Sequence, residues 1–192
     1  MKTVAGIDSL NIPELFATAT RRIILHAAVY GPFADSEPHC NGLATALSRT
    51  TFEKLDIIAV TPDADKAWAS DFFKTLRLDQ TPSEIEEEVQ ASLKFLRSLE
   101  VSQPTKVCIH PVISRPNLPI IIADDTIVFG QYARADRYAP QGFWSVVEAD
   151  VEKLMQWATE ESIPTTATSA ELAAYRLVSE CVHAMRHNPE HL

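Results

Sequence analysis

The segment from Pro119 to Tyr132 sets the tightest limit on the fold. Two apolar runs, 119–123 and 126–132, are separated only by Asp124-Asp125. Each run is too short for a core helix and is bounded by turn residues. The pair therefore reads as an antiparallel hairpin with a tight acidic turn. Upstream the pattern is different. Residues 22–30 (Ile23, Ile24, Leu25, Ala27, Val29), 55–60 and 106–113 read as buried strands, with helical stretches between them. Strands alternating with helices favour parallel pairing. A chain that holds both arrangements predicts an α/β fold with a mixed β-sheet flanked by helices on both faces.

The helices are expected at 12–20, 43–50, 66–76 and 82–99, then at 150–161 and 168–187. A loop over 35–42 holds Pro38, His39 and Cys40. Thr81-Pro82-Ser83-Glu84 is a strong start signal: a capping threonine, a proline suited to the first turn, and the glutamate of a capping box. Thr168 with Glu171 repeats the device. Phe143–Val147 reads as a further strand. The expected order is α-β-α-β-α-α-β-β-β-β-α-α. With 192 residues, one core is the expectation. Residues 1–162 form the α/β domain, and 163–192 form a linker and an extra C-terminal helix, packed on the domain or on a dimer partner.

The formal net charge of -9 disfavours phosphate backbones, and neither Arg21-Arg22 nor Arg134 with Arg137 builds a basic stripe. Nucleic acid is accordingly not an expected partner. Cys40, Cys108 and Cys181 are odd in number and widely spaced, which fits reduced thiols in a cytosol rather than a disulfide framework or a zinc motif. Neither a secretory leader nor a run of roughly 20 apolar residues is present, so a cytoplasmic protein that does not enter membranes is expected. No cofactor or metal is expected.

The opening strand from Ile23 to Tyr30, the helix and strand after it, and the hairpin from Pro119 to Gly130 resemble one repeat of the phospholipase D-like superfamily, over roughly residues 10–160. In that family the hairpin carries a signature of histidine, any residue, lysine, four residues, aspartate. The histidine attacks phosphorus and the lysine holds phosphate oxygens. Here Asp124 matches the aspartate and Gly130 matches the glycine after the strand. Asn117 stands at the histidine position and Pro119 at the lysine position. The resemblance thus implies the fold and argues against the catalysis. It also implies a homodimer, because single-repeat members pair their sites across a two-fold axis.

No residue is expected to be catalytic. The candidates for binding are His26, His39, His110, Arg115, Asn117, Gln131, Tyr132 and Arg134. His26 lies inside an apolar strand, His39 in the loop after a parallel strand, and His110 near a strand end. Arg115 flanks Asn117, while Gln131, Tyr132 and Arg134 follow Gly130, where a cleft opens in the resembled fold. The expected role is a non-catalytic binding or regulatory protein, with a protein or a small anion as ligand. A phosphodiesterase or phosphatidyl-type transferase with a rebuilt site requires two of His26, His39 and His110 to converge in one cleft. A nucleic-acid accessory protein requires Arg115 beside Arg134 in a basic cleft.

Overall fold

The computed structural model describes residues 1–26, 30–60, 67–77, 79–112, 114–131 and 141–186. Among these residues seven strands form one sheet: β1 (Lys2–Ala5), β2 (Arg22–His26), β3 (Lys54–Ala59), β4 (Val107–Pro111), β5 (Ile120–Ala123), β6 (Thr126–Gly130) and β7 (Phe143–Glu148). Their spatial order is β1-β7-β6-β5-β2-β3-β4. The helices are α1 (Ile12–Thr18), α2 (Gly31–Ala34), α3 (Glu37–Ser48), α4 (Ala67–Leu76), α5 (Pro82–Ser102), α6 (Val151–Glu160) and α7 (Ser169–Arg186).

The expected α/β architecture is present. Strands β2, β3 and β4 run parallel, and β5, β6, β7 and β1 add on antiparallel. Alternation along each strand sends side chains to two separate cores. Ile23, Leu25, Leu55 and Ile57 pack with Phe16 of α1 and Leu43, Ala46 and Leu47 of α3. Ile24, Ile58, Ile120 and Ile122 pack on the other face with Phe72 of α4, Leu154 of α6 and Val178 of α7. The α1–α3 crossing is close because position 42 lacks a side chain: a Cβ on Gly42 would lie 2.5 Å from the Pro13 carbonyl oxygen.

Three local expectations need correction. The loop expected over 35–42 shrinks to Asp35 and Ser36, and Glu37 to Gly42 form the first half of α3. Pro38 sits in the first turn, where a missing N–H costs nothing. Of the strand expected over 22–30, Arg22–His26 is strand, residues 27–29 lie outside the described residues, and Tyr30 is not strand but caps the short α2. The sheet also gains β1, whose Lys2–Ala5 run is mostly exposed and gave no apolar signal. It is held by pairing to β7 and by the Thr3 hydroxyl, 2.9 Å from that of Ser145.

Helix α7 lies along α6 and reaches β3 and β4. Its start is fixed by the expected capping box: Thr168 N–H and Oγ1 donate to Glu171 Oε2 at 2.7 and 2.8 Å. Lys153 of α6 donates to the same carboxylate at 2.7 Å. Lys153 and the Thr168 donors hold the Glu171 carboxyl down at about 2.

Candidate functional site

Asn117 is exposed and Pro119 is buried. The Pro119 carbonyl accepts a 3.1 Å hydrogen bond from Gly130 N–H, so this residue closes the hairpin mouth. Asp124 occupies the turn with a left-handed φ of 49°. Its Oδ1 accepts from the N–H groups of Arg21 (2.8 Å) and Arg22 (3.0 Å). Its Oδ2 accepts from Thr20 N–H (2.8 Å) and the Thr20 hydroxyl (2.9 Å). Desolvation pushes this carboxyl up, but the donors of Thr20, Arg22 and Arg21 together outweigh it and leave the group below its ordinary value. Asp124 thus clamps the entry of β2 to the hairpin. Gly130 has a packing reason as well: a Cβ there would lie 2.8 Å from a Trp144 ring carbon.

The three histidines sit in three environments. His26 is buried, with Nδ1 3.2 Å from the Leu118 carbonyl oxygen. Burial pushes its imidazole down, against the Leu118 hydrogen bond and Glu180 of α7. His110 lies in the same row on the same face. Ile58, in register with both, stands between them. At a strand spacing of about 4.8 Å, their backbones are separated by roughly 10 Å. His39 belongs to α3 on the opposite face. Its ring stacks on Phe33 with centroids 4.7 Å apart, and its Nδ1 is 2.7 Å from the Ser36 hydroxyl. Burial lowers His39 too, opposed by Asp8.

Of the other candidates, Arg115 is exposed, its guanidinium 5.4 Å from the centre of the Phe72 ring. Gln131 is exposed at the end of β6. Tyr132 and Arg134 lie outside the described residues.

Sequence reasoning did not bring Asp56, Cys108 and His110 together. Asp56 on β3 is in register with Cys108 on β4, and His110 follows two residues later on the same face. His110 Nε2 and Asp56 Oδ1 are 2.9 Å apart, with both side chains 7% exposed. Cys108 is half-buried. One donor atom from each of the three lies within 4.8 Å of the others. Burial raises the Cys108 thiol, with Lys54 opposing. His110 Nδ1 is buried without a hydrogen-bond partner among the described residues. Cys181, on the buried face of α7, feels both Glu180 and Asp56, and its thiol is pushed up mainly by burial.

A cleft of about 680 Å³ opens beside α2, the helix that follows β2; its walls include Asp8, Asp35, Arg77, Glu84, Glu87 and Glu88. The only cation among these is Arg77, and it is paired with Glu88: Arg77 Nε donates at 2.7 Å and a terminal nitrogen makes a second contact. Gly31 leaves room for that pair, since a Cβ there would lie 2.9 Å from Glu88 Cγ. Among the described residues the lining is thus strongly acidic, which disfavours an anionic ligand.

No known family model matches the chain, and no curated protein matches it. Similar solved structures exist. TrmBL2, described as an archaeal chromatin protein with a novel mode of DNA binding, is 16% identical with a TM-score of 0.46, over 83% of this chain and 50% of its own. Phosphatidylserine synthase of Haemophilus influenzae Rd KW20 is 10% identical with a TM-score of 0.46, over 93% of this chain and 43% of its own. NucT from Helicobacter pylori is 14% identical with a TM-score of 0.47, over 95% of both chains. The chain thus spans half or less of the length of the first two. Among the described residues no helix is long and apolar enough to cross a membrane.

Proposed function

We propose that this chain is a non-catalytic binding protein on a phospholipase D-like scaffold, and that it works as a homodimer. The observation that carries this reading is the state of the hairpin. Asn117 and Pro119 replace the groups that would attack and hold phosphate. The one retained member, Asp124, commits both carboxylate oxygens to Thr20, Arg21 and Arg22. Its presence needs no phosphoryl chemistry to explain it. The separation of His26, His110 and His39 supports the same reading, because a rebuilt nucleophile and acid have to share one cleft. The acidic cleft beside α2 favours a protein segment carrying positive charge over a small anion.

Chromatography with light scattering, followed by assay of the peak, tests both parts. The peak is expected at twice the 21.3 kDa of one chain. It is expected to release no more nitrophenol from bis(4-nitrophenyl) phosphate than buffer does, with or without EDTA and across pH. A single-chain mass overturns the dimer. Turnover that follows the peak and is lost in a folded His39→Ala or His110→Asn variant overturns the non-catalytic reading.

A further inference from the structure

We propose that Asp56, Cys108 and His110 bind a divalent transition-metal cation, with zinc the best match. The three donors come from neighbouring parallel strands whose register is fixed by the ladder, so the site is built on the most rigid part of the fold. Sulfur, imidazole nitrogen and carboxylate oxygen together suit zinc and its soft neighbours, and exclude calcium and magnesium, which take oxygen ligands.

Size and satisfaction point the same way. Tetrahedral zinc with bonds of about 2.0–2.3 Å holds its ligand atoms roughly 3.3–3.8 Å apart. The donors here lie within 4.8 Å of one another, so side-chain rotation alone closes the gap. The pairing of His110 with Asp56 does not use up the ring: Nδ1 is buried and without a partner among the described residues, although the residue is 6% exposed. Most buried side-chain polar atoms have a partner, and an orphan such as this one calls for an explanation. The ring therefore retains a ligating capacity that the fold does not consume. Cys108 is half-buried, which gives the cation a way in and leaves the fourth position open to water or to a ligand group. On binding, the thiol gives its proton to solvent. This site is independent of the acidic cleft and of the proposed binding role.

Cobalt(II) reports on it directly. Reduced full-length protein, stripped with a chelator and then titrated with cobalt, is expected to develop a near-ultraviolet thiolate-to-cobalt band that saturates at one ion per chain and is displaced by zinc. Cys40→Ala is expected to keep the band and Cys108→Ala to lose it, with an unchanged circular dichroism spectrum. Asp56→Asn is expected to weaken zinc at least tenfold in a competition titration. Absence of the band from the folded wild-type protein, or its survival in Cys108→Ala, overturns the proposal. Because Cys108 is on the half-exposed side of the cluster, its truncation leaves the core intact and the result interpretable.

Discussion

In chelator, Asp56→Ala is expected to lower the unfolding free energy by about 3 kcal/mol, within the range for removing one member of a buried polar pair. The cost comes from what is left behind. His110 Nε2 loses its 2.9 Å partner, Nδ1 already has none among the described residues, and the ring stays enclosed between the sheet and its covering helices. Asp56→Asn is expected to cost less than half as much, because the amide oxygen still accepts from the ring. Urea denaturation followed by circular dichroism separates the two through their midpoints at an unchanged slope. A loss below about 1 kcal/mol for Asp56→Ala would show that the ring finds another partner and that the pair does not brace β3 against β4.

Asp124→Ala is expected to cost about 2–3 kcal/mol, from the loss of four charge-assisted contacts at a half-exposed site, which do not add fully. Alanine also strains a turn whose φ is 49°, whereas asparagine tolerates that conformation. Asp124→Asn is therefore expected to recover part of the loss. The pH dependence has a definite sign. The folded carboxyl lies below the ordinary value of 3.8, so its contribution is complete above that value and is lost as pH falls through the lower folded one. Wild-type and Asp124→Ala stabilities should accordingly converge in acid. Curves that stay parallel from neutrality down to the acid transition would mean that the carboxylate is not the clamp.

The parts legible in the sequence were those with a local cause. The Asp124-Asp125 hairpin, the Thr81–Glu84 and Thr168–Glu171 capping boxes and the buried strands at Ile23–Leu25 and Ile57–Ile58 each carry their signal within a few residues. What was illegible depended on pairing across the chain. Strand β1 has no apolar pattern and exists because β7 offers an edge. The start of α3 was hidden by Pro38, which reads as a breaker unless the first turn is already known. The Asp56–Cys108–His110 group cannot be read from spacing, because Asp56 lies 54 residues before His110 and meets the Cys108–His110 pair only through strand register. His26, His39 and His110 were each visible as candidates, yet only the fold shows that Ile58 parts two of them and that the third lies across the sheet.

The sheet order also bears on how the chain is made. Thr3 meets Ser145, 142 residues later, so the outermost antiparallel strand cannot pair until β7 has been made. One face is covered early, since α1 and α3 precede β3. The other is different: α4 gives Ile24, Ile58, Ile120 and Ile122 part of their cover, and α6 and α7 complete it only after residue 150. A nascent chain leaving the ribosome N-terminus first therefore carries a half-clad apolar sheet for much of its synthesis. Closures over such long separations are slow because their entropy must be met before any contact rewards them. The late helices thus act as the final seal of the molecule, and the cell's holding chaperones have the interval before it to guard.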